Sequence, residues 1–231
     1  MKLIVEGLNK SFEDNHVLKD INASFEKGKI YALLGRNGSG KTTFFNCLSK
    51  EISSDSGHVY FDDGLEVSSQ DFGYVYATPM LPEFLTGYEF LSFFIDIHKD
   101  KNLHRNDIHD FFDKIQFSLD DRHKLIKDYS YGMRNKLQMI CILMLQPKIL
   151  LLDEPLTSFD VVASLEMKKL LLEIKDNCIM ILSTHILQIA KDICDEVVVL
   201  HKGHVQLLTN EHLQSESFES EIVEILKEDH E

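Results

Sequence analysis

Gly35-Arg36-Asn37-Gly38-Ser39-Gly40-Lys41-Thr42 follows the apolar run Ile30-Tyr31-Ala32-Leu33-Leu34 and leads into Thr43-Phe44-Phe45-Asn46-Cys47-Leu48. The first run reads as a buried strand and the last as a helix, so the octapeptide is the turn between them. Strand, glycine-rich turn, Lys, Thr and helix together make a phosphate-binding loop. Its glycines let the backbone turn tightly and bring amide N–H groups against phosphate oxygens. The helix from Lys41 adds free N–H groups and the positive end of its dipole. Lys41 has the reach for the outer phosphates, and the Thr42 hydroxyl is a hard donor suited to Mg²⁺. The loop by itself specifies a nucleoside triphosphate site, since kinases, GTPases, motors and transport ATPases all use it.

Upstream, Leu3-Ile4-Val5 and Val17 to Phe25 read as strands, the second alternating imperfectly through Leu18, Ile21, Ala23 and Phe25. Two strands ahead of a parallel-type strand suggest an antiparallel layer over an α/β core. Phe12, in the polar stretch Lys10-Ser11-Phe12-Glu13-Asp14, is either a base-stacking aromatic or a core residue at a strand end. Downstream, Gly57 to Phe61 and Phe72 to Tyr76 read as strands, followed by a two-proline loop from Ala77 to Glu83. Gly87 to Ile97 is expected to be a helix apolar over most of its circumference, and His104 to Phe117 a second helix. The first of these is either internal core or a protein-docking surface.

Ser130 is a good N-cap for the helical pattern Leu137, Ile140, Cys141, Met144, which Pro147 ends. Ile149-Leu150-Leu151-Leu152 then reads as a fully buried strand finishing in Asp153-Glu154-Pro155. Two carboxylates at the end of such a strand are costly unless they meet a cation or donors. Mg²⁺ on a triphosphate is the cation that matches. A helix from Asp160 to Lys175, with Leu165, Leu170, Leu171 and Ile174 inward, precedes a strand from Cys178 to Leu182 and Ser183-Thr184-His185. Ile186 to Cys194 reads as a helix, Glu196 to Leu200 and Val205 to Leu208 as strands, and the tail places Phe218, Ile222, Ile225 and Leu226 at helical spacing.

The 231 residues are 44% hydrophobic, enough for one large α/β domain, and carry a formal charge of −14. Such an acidic chain is not expected to bind nucleic acid. Cys47, Cys141, Cys178 and Cys194 show no C-x-x-C and read as reduced thiols. The early charge in Met1-Lys2-Leu3-Ile4-Val5-Glu6 does not suit a signal peptide. The apolar runs Met139 to Leu145 and Ile149 to Leu152 fall short of the roughly 20 residues of a spanning helix. The histidines lack metal-site spacing.

The order of the phosphate loop, the Ser130–Gly132 turn, the Asp153–Glu154 strand end and His185 resembles the ATP-binding cassette (ABC) ATPases, over roughly Leu3 to Leu208. Leu34 to Thr43 matches Walker A, Ile149 to Pro155 Walker B, Leu156-Thr157-Ser158-Phe159-Asp160 the D-loop, and Ser183-Thr184-His185 the switch histidine. Lys10-Ser11-Phe12 looks like the aromatic A-loop. The resemblance implies an α/β P-loop NTPase (RecA-like) core with an N-terminal antiparallel β layer and an inserted α-helical subdomain at about 80–147. The ABC domain would cover 1–210, with a short acidic helix or tail at 211–231.

It implies ATP and Mg²⁺ as cofactors. Phe12, Gly35, Asn37, Gly38, Ser39, Gly40, Lys41, Thr42 and Thr43 would hold the nucleotide, with Thr42 and Asp153 on the metal. Glu154 would activate water, with His185 and Lys41 completing the catalytic set and His185 contacting the γ-phosphate. Ser130 and Gly132 would face the nucleotide of a second cassette, so that ATP is sandwiched in a homodimer or heterodimer. Separate membrane-spanning permease subunits are the implied partners, and the cytoplasmic face of the cell membrane the implied place. Tyr129-Ser130-Tyr131-Gly132-Met133 departs from the usual Leu-Ser-Gly-Gly-Gln and is similar to cassettes of drug, antibiotic-peptide and lantibiotic exporters. Ala77 stands where the family has a Gln, or in some exporters a Glu, that touches Mg²⁺. That substitution motivates the alternative of a weakly hydrolysing regulatory cassette; a soluble cassette outside transport is a separate alternative.

Overall fold

Two long strands open the chain: β1 (Lys2–Phe12) and β2 (Asn15–Glu26) pair antiparallel, and β4 (Ser56–Phe61) joins the free edge of β1 to give the order β2-β1-β4. The computed structural model describes residues 1–156, 159–209, 213, 215 and 217–227. β1 runs well beyond the expected Leu3-Ile4-Val5. Its pairing with β2 shifts register between Val5 and Leu8 and twice more before Ser11, and Gly7 sits at φ 62°. Each irregularity turns a side chain to the other face, which erases the alternation that marks a strand in sequence.

The second sheet holds six strands in the order β5-β6-β7-β3-β8-β9. β3 (Ile30–Leu34), β6 (Ile149–Asp153) and β7 (Ile179–Thr184) are buried throughout. β5 (Phe72–Val75) and β8 (Glu196–His201) flank them in parallel, and β9 (His204–Leu208) closes the edge antiparallel. Continuous apolar runs mark the central strands because both faces are covered. Ile30, Ala32, Leu34, Leu150 and Leu152 point into one core with Leu137, Ile140, Leu171 and Ala190. Tyr31, Leu33, Ile149 and Leu151 point into the other with Phe44, Phe45, Leu3 and Phe25.

α1 (Lys41–Leu48) follows the phosphate loop. Between β5 and β6 the chain forms α2 (Gly87–Ile97), α3 (Ile108–Lys114) and α4 (Tyr131–Leu145). Thr86 and Glu89 make a capping box on α2. Leu91 and Ile95 of α2 are buried, but Phe93 and Ile97 are 55% and 58% exposed, so one side of this helix faces out. α3 is shorter than the expected His104–Phe117, because Gln116 adopts φ 51° and breaks the helix.

α5 (Val161–Ile174) starts at the Asp160 cap. Leu165, expected inward, is 61% exposed. It lies nearly opposite the buried face defined by Met167, Leu170 and Leu171, since two residues back from Met167, the middle of that face, at 100° per residue is about 160° out of phase. α6 (Leu187–Ile193) and α7 (Phe218–Leu226) complete the described elements, with Phe218 and Ile222 buried. The rest of the acidic tail, 210–212, 214, 216 and 228–231, lies outside the described residues, as do Thr157 and Ser158 of the D-loop match.

Parallel pairing places the C-terminal ends of β3, β6 and β7 on one edge. Leu34 aligns with Thr184, and Asp153 with Ser183. The phosphate loop, Asp153–Glu154 and His185 therefore emerge side by side, where α/β sheets build their ligand sites.

Candidate active site

The turn from β3 into α1 depends on two glycines. Gly40 caps α1 at φ 101°, and a Cβ there would lie 2.8 Å from Val17 Cγ1. A Cβ on Gly35 would meet Ser39 Oγ at 2.4 Å and the Leu200 carbonyl at 2.7 Å. Only glycine fits either place. The loop folds around its own lysine: Lys41 is buried, and Nζ donates to the Gly35 carbonyl at 2.9 Å and the Arg36 carbonyl at 3.4 Å. Burial holds the ammonium below the usual lysine range, against the opposing pull of Glu154 and Asp153.

Asp153 ends β6 with both carboxylate oxygens engaged. Ser183 Oγ donates to Oδ1 at 2.5 Å, and Thr42 Oγ1 donates to Oδ2 at 3.1 Å. These donors offset the cost of burying the carboxylate. Glu154 then takes φ 50°, in the left-handed region. Strand alternation alone would send Glu154 to the face opposite Asp153; the left-handed step re-aims it, and the two acids line one cleft. A non-glycine residue in this conformation stores about 1–2 kcal/mol, which the rest of the site must hold. The Glu154 amide donates to the Ser183 carbonyl at 3.2 Å and to Ser183 Oγ at 3.0 Å. Its carboxylate Oε1 lies 2.9 Å from His185 Nδ1.

The cleft holds about 360 Å³ and is lined by Val17, Asn37, Gly38, Gly40, Lys41, Thr42, Thr43, Ala77, Asp153 and Glu154. Most residues singled out in the sequence thus meet in one place. Ser39 turns the other way, into a neighbouring cleft with His16, Lys19 and His201. Its hydroxyl is buried without a hydrogen-bond partner among the described residues. Phe12 is 48% exposed at the tip of the β1–β2 hairpin, under the Lys10 ammonium at 5.3 Å, and does not line the cleft. It is not the core residue that a strand end allowed. His185 meets Glu154 rather than the cleft wall.

Ser130 and Gly132 line a different cleft, of about 550 Å³, with Tyr131, Met133, Phe159 and Asp160. Ser130 caps α4 by accepting from the Met133 amide at 3.2 Å. The Ser130–Gly132 turn therefore lies in a cleft separate from the one that Lys41 and Asp153 line. Ser183 and Val17 were not assigned a role from sequence. A serine closing a strand of otherwise apolar residues was the available signal for Ser183; Val17 had none.

The donor set suits a magnesium nucleotide. Lys41 Nζ hydrogen-bonds only to two loop carbonyls among the described residues, which leaves its ammonium able to take an anion in the cleft. Thr42 Oγ1 and the Asp153 carboxylate supply hard oxygens at adjacent positions, as Mg²⁺ requires. Among the described residues no group of three or more His, Cys, Asp or Glu could hold a metal ion by itself.

Residues 18–157 match the family described as ABC transporter. An ABC transporter ATP-binding protein of Bacillus subtilis, YdbJ, is 29% identical over 96% of this chain and 74% of its own length. The lantibiotic transport ATP-binding protein SrtF of Streptococcus pyogenes is 28% identical over 94% of each chain. A solved structure titled as the ATP-binding subunit of an ABC transporter superposes with a TM-score of 0.86, at 25% identity, over 98% of this chain and 100% of that one.

Proposed function

The chain belongs to the ABC transporter family as an ATP-binding, ATP-hydrolysing subunit, and from that premise we propose that it powers export through separate membrane-spanning permease subunits. The observation that carries the chemistry is the Glu154–His185 pair, set beside the Asp153–Thr42 contact and Lys41 in one row of strand ends. ATP would bind along Gly35 to Thr43, with the Lys41 ammonium on the outer phosphates and Phe12 stacking on the base. Thr42 and Asp153 would hold Mg²⁺, which supplies positive charge against the triphosphate. Glu154 would take the proton of a water as the water oxygen attacks the γ-phosphorus and the bond to the bridging oxygen breaks, leaving ADP and phosphate. His185, at 2.9 Å from Glu154, would orient that carboxylate and contact the γ-phosphate.

The separation of Ser130 and Gly132 from Lys41 supports a head-to-tail pair of cassettes, each closing the other's nucleotide. Because this chain carries both halves, a homodimer is the simplest assembly. No described helix is long and apolar enough to cross a membrane, so the permease would be a partner. Met80 and Phe84 are 78% and 79% exposed, and these, with the exposed Phe93 and Ile97 of α2, are the apolar side chains on which it would dock. On this reading the chain would sit on the cytoplasmic face of the membrane. The name of the lantibiotic transport relative supports a peptide cargo; export, and a drug or lipid-like cargo as the other choices, are part of the proposal. A domain boundary near 210 and a helical subdomain at about 80–147 belong to the same proposal.

Ala77 favours a second reading: it lines the cleft with a methyl group and offers nothing to a metal or a water, as a weakly hydrolysing regulatory cassette would. Single-turnover ATP hydrolysis by the wild type and by Glu154→Gln separates the two. A wild-type rate about 10²-fold or more above the variant supports general-base hydrolysis, and equal rates support the regulatory reading.

A further inference from the structure

The strand end that walls the ATP cleft is held from several sides. Tyr76, just before Ala77, gives both its backbone groups to Gln138: Tyr76 N donates to Oε1 and Nε2 donates to Tyr76 O, each at 3.4 Å. Gln138 is buried, and Nε2 also donates to Asn135 Oδ1 at 3.2 Å. Both residues belong to α4, the helix that Ser130 caps. The Tyr76 ring stacks on Tyr74 with centroids 4.3 Å apart, and Tyr74 meets Phe45 of α1 edge-on at 5.9 Å. The Tyr76 hydroxyl donates to Glu51, just beyond α1. Burial and the Glu51 carboxylate push this phenol up to about 12, so it stays a donor at neutral pH. An unbroken run of contacts therefore joins the phosphate-loop helix to α4, and Ala77 stands beside it with no functional group of its own. Apolar packing lets a helix and a strand end slide; an amide paired at both ends fixes their register.

We propose that Gln138 is a positioning residue that ties the cleft wall at Tyr76–Ala77 to the helix carrying Ser130, so that the wall moves with that helix during turnover. The inference rests on the reading of Ser130 as part of an ATP site. Gln138→Leu keeps the side-chain volume and removes both bonds to Tyr76. Its kcat is expected to fall about fivefold to tenfold while the affinity of the chain for a fluorescent ATP analogue stays within about twofold, because Gln138 does not line the cleft. Tyr76→Phe, which removes only the Glu51 bond, is expected to lower kcat about twofold with the same affinity, and keeps the test open if Gln138→Leu does not fold. Unchanged kcat in a folded Gln138→Leu, or parallel loss of kcat and affinity, overturns the positioning role. Ser130→Ala is measured alongside: normal turnover in that variant overturns the shared-site reading, whereas impaired Ser130→Ala beside normal Gln138→Leu overturns this inference alone.

Discussion

Replacing Ser183 by Ala removes one buried hydroxyl that serves two catalytic candidates at once. Ser183 is fully buried; its Oγ donates to Asp153 at 2.5 Å and accepts from the Glu154 amide at 3.0 Å. The amide keeps its bond to the Ser183 carbonyl at 3.2 Å, so the main loss falls on the carboxylate. A hydrogen bond to a charged group contributes about 1.5–3 kcal/mol, and the hydroxyl leaves too small a void to add much. A loss of about 2 kcal/mol lowers the thermal midpoint of a chain this size by about 4–8 °C. Asp153 would also lose the donor that sets its plane toward Thr42, and a misplacement worth about 1.4 kcal/mol in the transition state lowers turnover about tenfold. Thermal unfolding and steady-state hydrolysis of the purified variant measure both. Ser92→Ala, which removes a bond to the Tyr88 carbonyl at one turn of α2, serves as the control with a shift under about 2 °C. A Ser183→Ala midpoint within about 1 °C of wild type, with unchanged turnover, refutes the structural role given to the hydroxyl.

Lys41→Met is expected to stabilise the chain at neutral pH while weakening ATP binding at least about tenfold, measured by thermal unfolding and nucleotide titration. The sign follows from burial: the folded pKa is depressed, so the charged lysine penalises the fold fully below that pKa, and the gain from Met shrinks as pH rises from that depressed value and is gone above the ordinary lysine value. Gly40→Ala forces a Cβ onto Val17 at φ 101° and is expected to cost about 1–3 kcal/mol and most ATP binding, read by denaturant unfolding and nucleotide titration. Phe84→Asp with Phe93→Asp, both exposed, is expected to leave hydrolysis by the isolated chain intact and to abolish co-purification with the membrane partner.

The phosphate loop and the Asp153–Glu154 strand end were legible because their chemistry is local: continuous burial writes an apolar run, and the functional residues follow it directly. The N-terminal sheet was only half legible, since the register shifts after Val5 scramble its alternation. Leu165 misled because an apolar residue states a preference and not a direction; helical phase decides it. Gln138 was silent in sequence and Ser183 showed only as a polar close to an apolar strand, because each acts on a backbone or carboxylate brought near by the fold, 62 and 30 residues away along the chain. Phe12 kept two readings until its exposure at the hairpin tip excluded the core.

The central claim is that this chain hydrolyses ATP at a site completed by a second cassette. The most direct measurement is the mass of Glu154→Gln by light scattering or sedimentation, with and without ATP and Mg²⁺. ATP-dependent conversion of monomer to dimer, lost again on adding Ser130→Glu to the same chain, is the predicted result. A monomer unchanged by ATP, with the permease partner also present, contradicts it.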